Sequence, residues 1–233
     1  MPAHLLLAID TAFERCSAGI LDLDTGRMLA RAEPEIGKGH AERLMGVIDG
    51  VLADAGAIYG DVARLAVSVG PGSFTGLRVG VAAARGLALA LGVPAVGIGT
   101  LEVLAAPHLG DRPILSVLDA RRGEVYAELF HPGGISLAGP AALPIGELAA
   151  FVSAADPDRL GIVGTGASIA QGALAGVATE VLSDEARIDM EVMARLAALQ
   201  EPEGPPRPLY LRGADAKPAT PTKGLFASCE SIP

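Results

Sequence analysis

The chain has 233 residues, enough for one large domain or two lobes with an ample core. Half of them are hydrophobic but only 3% are aromatic, so the core must be built from Ala, Val, Leu and Ile. The formal charge of −9 disfavours autonomous binding to nucleic acid or to an anionic membrane surface, since both need Lys and Arg to replace counterions.

The opening run, MPAHLLLAIDTAFERC, lacks a basic start followed by a long apolar stretch. No signal peptide is expected, and the cytoplasm is the expected compartment. Leu5 to Ile9 is a continuous apolar run, which suits a strand buried on both faces, with Asp10-Thr11 at its tip. Ser17 to Leu21 and Arg27 to Ala32 read as two further strands, joined by the turn Asp22 to Gly26. Ala41 to Ala55 reads as a helix with one wide apolar face carrying Leu44 and Ile48, and Gly56 ends it.

The stretch Ser68 to Gly97 organises the rest. The apolar run Leu65 to Val69 breaks at Gly70-Pro71-Gly72, and Ser73 or Thr75 can cap the helix that follows. That helix, Thr75 to Leu91, is apolar or small nearly all round, so it must be covered nearly all round. It is short for a membrane span and carries Arg78 and Arg85, which argues against a bilayer. Gly76, Gly80 and Ala84 recur every four residues and make one face almost bare backbone. Two readings stand: a helix buried wholly in its own domain, or one whose Gly/Ala face receives a second subunit.

Pro94 to Ile98 reads as a strand and Leu101 to Ala106 as a short helix. The second half repeats the theme. Ile114 to Leu118 ends at Asp119 as the first strand ends at Asp10, and Glu124 to Phe130 alternates as a strand. Ile145 to Ala154, Ser168 to Ala175 and Asp189 to Leu199 read as helices, with Leu160 to Val163 and Glu180 to Leu182 as strands. The expected organisation is an N-terminal lobe over 1–106, a C-terminal lobe over 107–212, and a poorly ordered tail over 213–233.

Few residues carry chemistry. There is no Walker loop, HExxH pair or Cys–His cluster, and Cys16 and Cys229 fit no metal spacing, so no metal site is expected. GPGSFTG lacks the second glycine of a nucleophile turn, so Ser73 reads first as a cap, with a peptidase or acyltransferase nucleophile the weaker alternative. His40 has no second histidine nearby and reads as a helix-start residue. Asp10 and Asp119 at strand tips can each hold a hydrated magnesium ion beside a phosphate, and Gly161, Gly164 and Gly166 can admit a nucleotide, which leaves a kinase or ATPase open. The competing reading makes them strand ends and turns. Arg121 and Arg122 can bind an anion or sit on a solvated hairpin.

The segments LLLAIDTAFERCSAGILD, GHAERLMGVIDGVL, VSVGPGSFTGLRVGVAAARGLAL, LDARRGEVYAELF and PLYLR resemble the TsaB (YeaZ) family along essentially the whole chain. The resemblance implies an α/β actin-like (ribonuclease-H-like) fold of two lobes, with mixed sheets and helices on their faces. It also implies an accessory, non-enzymatic role in forming threonylcarbamoyladenosine at position 37 of tRNA. The implied partners are a TsaD-type catalytic subunit and a TsaE-type ATPase, with tRNA reached only through the complex. No cofactor is implied for the isolated chain, because ATP and a divalent metal act in the partner subunits. Together with the small-residue face, this nominates Leu44, Ile48, Gly76, Leu77, Gly80, Ala83, Ala84 and Leu87 as the partner surface, which can also form a homodimer. Asp10 and Thr11 match the superfamily's phosphate strand, but Ala12 stands where glycine is usual. With Asp119, Gly164 and Gly166 they are therefore read as a vestigial nucleotide site.

Overall fold

The computed structural model describes residues 4–155 and 157–212. The expected tail, and Cys229 within it, lie outside the described residues. A first sheet holds β1 (Leu5–Asp10), β2 (Ser17–Asp22), β3 (Met28–Ala32), β4 (Val62–Gly70) and β5 (Ala95–Gly99) in the order β3-β2-β1-β4-β5. A second holds β6 (Ile114–Arg121), β7 (Glu124–Phe130), β8 (Ser136–Pro144), β9 (Arg159–Val163) and β10 (Ala178–Ser183) in the order β10-β9-β6-β7-β8. In each, three consecutive strands pair antiparallel and two more join the first of them in parallel. The two sheets thus share one topology, so the chain is a duplicated ribonuclease-H-like lobe. Every residue of β1 is buried, as a central strand covered on both faces requires.

The layers follow from which faces are apolar. Helices α1 (His40–Asp54) and α2 (Phe74–Leu91) cover the outer face of the first sheet, over Leu7, Ile9, Leu65 and Val67. Helices α4 (Leu148–Val152) and α5 (Ala167–Ala173) cover the outer face of the second. Between the sheets lie α3 (Thr100–Ala105) and α6 (Met190–Leu199), with a core shared by Leu6, Ile98, Leu101, Leu118, Phe130 and Met193. Although α6 comes late in the chain, it packs on β1, β2 and β5 of the first sheet. Arg64 in β4 holds its C-terminal end, donating from Nη1 to the carbonyls of Ala197 at 3.1 Å and Gln200 at 3.0 Å. Residue 106 therefore separates two strand sets, while the packing crosses it.

Three elements differ from expectation. Strand β8 was not anticipated, because SLAGPAALP contains one glycine and two prolines. Among the described residues it pairs only with β7, and an edge strand tolerates proline because one side of it needs no N–H donors. The helix expected over Ile145 to Ala154 is α4 alone, flanked by 3₁₀ turns at Ile145–Glu147 and Ser153–Ala155. Its start is tied into a turn by the Ile145 N–H donating to the Gly123 carbonyl at 3.0 Å. Strand β6 continues past Asp119 to Arg121, where it meets Glu124 across a tight hairpin.

Candidate functional site

A cleft of about 1050 Å³ opens between the lobes beside the C-terminal end of β1. This is where ligands enter open α/β sheets. The first lobe lines it with Asp10, Phe13, Arg15 and His40, the start of α2 with Ser73 and Gly76, and the second lobe with Arg121, Thr165 and Arg187. Arg187 closes one side by donating from Nε at 3.1 Å and Nη2 at 2.7 Å to one oxygen of Glu33, whose side chain is only 8% exposed. Buried His40 donates from Nε2 to the Arg15 carbonyl at 3.1 Å, which fixes its tautomer and makes it a brace at the helix start.

Several of the nominated polar groups make hydrogen bonds within the chain. Asp10 is 1% exposed, and its Oδ1 accepts the Ala12 N–H at 3.0 Å. Burial pushes its carboxyl above the usual range, opposed by the nearby Ser68 hydroxyl and by Ala12. Thr11 donates its hydroxyl hydrogen to the Gly76 carbonyl at 2.7 Å. Asp119 accepts the Arg121 N–H at 2.7 Å and pairs with the Arg121 guanidinium at 3.3 Å. Arg121 and Arg122 both take positive φ, 64° and 57°, so this carboxylate stabilises a strained hairpin. A Cβ at Gly164 would meet the Val117 carbonyl oxygen at 2.4 Å, and one at Gly166 would meet Val117 Cγ2 at 2.9 Å. On that side both glycines pack directly against β6. Among the described residues no cluster of three or more His, Cys, Asp or Glu is suited to a metal ion. Ser73 is the N-cap of α2, its Oγ accepting the Gly76 N–H at 3.2 Å.

The small-residue face nominated for a partner is turned inward. A Cβ at Gly76 would sit 2.0 Å from the Thr11 carbonyl oxygen, and one at Gly80 would sit 2.4 Å from Thr11 Oγ1. Leu44, Ile48, Leu77 and Ala84 are buried with them, and Ala83 and Leu87 are half-buried against the same core. The close approach that Gly76, Gly80 and Ala84 permit is thus used by the chain's own β1, because the loop after that strand crosses directly over the first turns of α2. A second small-residue stripe, Ala82, Gly86 and Ala90, is exposed on α2, together with Leu89 at 87% exposure. On α1, Gly46 and Gly50 are exposed too, and among the described residues a Cβ at Gly46, Gly50 or Gly86 would meet nothing within 4 Å. Sequence reasoning missed these three; their signal was glycine spaced by four on the polar side of a helix.

Two lobes of one repeated ribonuclease-H-like topology about one cleft define a protein of the actin-like fold. The family model described as TsaD, tRNA N6-adenosine threonylcarbamoyltransferase, matches residues 33–202. An uncharacterized protein of Mycobacterium tuberculosis is 35% identical over 216 residues, 91% of this chain and 94% of that protein. The tRNA threonylcarbamoyladenosine biosynthesis protein TsaB of Escherichia coli is 37% identical over 124 residues, 52% of each chain. The solved structure of YeaZ from Pseudomonas aeruginosa is similar with a TM-score of 0.67 and 32% identity, over 83% of this chain and 90% of that one. The chain belongs to the TsaB (YeaZ) family.

Proposed function

We propose that this chain works in tRNA threonylcarbamoyladenosine biosynthesis as a non-catalytic scaffold. It activates a TsaD-type subunit that transfers the threonylcarbamoyl group to adenosine 37. The observation that carries the reading is the outward surface of α1 and α2, where Gly46, Gly50 and Gly86 stand open beside half-exposed Met45 and fully exposed Leu89. A glycine inside a helix costs about 1 kcal/mol relative to alanine, and among the described residues none of these three repays it by contact. They let another helix come close, and a contact of about 800 Å² a side is ordinary for a specific pair. The committed carboxylates of the cleft support assigning ATP and a divalent metal to the partner subunits, among them a TsaE-type ATPase. In this reading the chain is cytoplasmic, meets tRNA within the complex, and pairs with itself through the same surface when alone.

The test is co-elution with the TsaD-type subunit. Gly86→Leu and Leu89→Glu should lower affinity at least roughly ten-fold, the scale of losing a central interface residue, while the isolated chain stays folded. Wild-type affinity in both variants would overturn the surface assigned here. Gly80→Leu is unsuitable as a probe, because it clashes with Thr11 inside the chain.

A further inference from the structure

Three side chains make a stack on the surface at the start of α2. The guanidinium carbon of Arg78 lies 3.7 Å from the centre of the Phe74 ring and 5.8 Å from that of Tyr210. The ring centres are 5.3 Å apart, and Arg78 Nε donates to the Tyr210 hydroxyl oxygen at 3.0 Å. Phe74 is 49% exposed and Tyr210 48%, in a chain with only five phenylalanines, three tyrosines and no tryptophan. The stack is rigidly mounted. Phe74 opens a helix capped by Ser73, and Tyr210 follows Leu209, whose N–H donates to the Val69 carbonyl at 2.8 Å. Among the described residues no carboxylate pairs with Arg78, or with exposed Arg207 on the segment leading to Tyr210.

We infer that this stack is a docking platform for an unpaired nucleotide of RNA, an inference that rests on the function proposed above. Flat rings and a guanidinium plane offer the stacking surface that single-stranded bases use, whatever their identity. The charge of Arg78, which no carboxylate among the described residues pairs with, meets an adjoining phosphate. The charge of −9 supplies no general attraction for RNA, so contact falls where cation and ring coincide. The outward glycine surface lies further along: Leu89 is about 16 Å beyond Arg78 at the helical rise per residue. A base can therefore occupy the platform while the helices hold a protein partner.

The experiment uses the full chain bound to its TsaD-type partner, with a fluorescently labelled unmodified tRNA transcript as probe. Replacing Phe74 and Tyr210 together by alanine should weaken tRNA binding roughly ten-fold, and Arg78→Lys should weaken it several-fold. Phe74→Tyr and Tyr210→Phe should keep it, and 4-thiouridine in the tRNA should crosslink to the peptide containing Tyr210. Unchanged tRNA affinity in the double variant with an intact complex would overturn the platform alone. Loss of partner co-elution in that variant would also overturn it, by making the stack a protein contact. A wild-type complex that binds no tRNA would overturn both this inference and the function beneath it.

Discussion

Thr11 at the end of β1 and Gly76 in the first turn of α2 are in direct contact: the threonine hydroxyl hydrogen bonds the glycine carbonyl at 2.7 Å. The spacing leaves no room for a methyl group, which would lie 2.0 Å from the Thr11 carbonyl oxygen. This contact ties the start of the helix to the end of the strand.

Gly76→Ala should therefore destabilise the fold by about 3 kcal/mol, since the obstructing atom belongs to the backbone. Gly80→Ala meets the rotatable Thr11 hydroxyl and should cost about 1–2 kcal/mol. Gly86→Ala, facing open space, should stabilise the isolated chain by about 0.5–1 kcal/mol. Urea denaturation of the three variants checks the order, and a destabilised Gly86→Ala would contradict the orientation of α2.

Arg64→Met should loosen the closure of α6 onto the first sheet. It removes a charged donor from the carbonyls of Ala197, Ala198 and Gln200 at the helix C-terminus, where positive charge is favoured. The expected loss is about 2 kcal/mol, with earlier hydrogen exchange in α6 than in α1. Uniform protection across both helices would show that the cap contributes nothing.

The contributions of Asp10, Glu102 and Glu128 to stability should fall as pH rises through the acid range. Burial raises the Asp10 carboxyl above its ordinary 3.8, and raises Glu102 and Glu128 above 4.5. An acid that holds its proton more tightly when folded loses stabilisation as pH climbs from its unfolded to its folded value. Asp10→Asn can still accept the Ala12 N–H through its amide oxygen but cannot ionise. Its urea midpoint should decline less than that of the wild type as pH rises above the ordinary 3.8. Parallel curves would mean that Asp10 is ionised without penalty.

Removing Arg187 should strand the Glu33 carboxylate. Because the guanidinium is 53% exposed while Glu33 is 8% exposed, Arg187→Ala should cost about 1–3 kcal/mol, less than a fully buried pair. Glu33→Gln added to it should restore part of the loss, which a double-mutant cycle of thermal midpoints would detect.

Much of the fold was legible from residue order alone. Leu5 to Ile9 suited a doubly covered strand, and the recurrence of a strand leading to an aspartate pointed to two related lobes. The family was readable too, from GPGSFTGLRVG and DARRGEVY. What the one-dimensional pattern could not decide was direction. Helix α2 has small residues on two sides, Gly76-Gly80-Ala84 and Ala82-Gly86-Ala90, so hydrophobic periodicity ranks neither as the inner face. The choice was made by Thr11, eleven residues into the chain and brought against Gly76 only by the pairing of β1 with β4. The same holds for Asp119, whose carboxylate turned to its own hairpin, and for α6, which left its lobe to cover the other sheet. Periodicity records how greasy each side of an element is, whereas steric fit between distant segments settles which side is used.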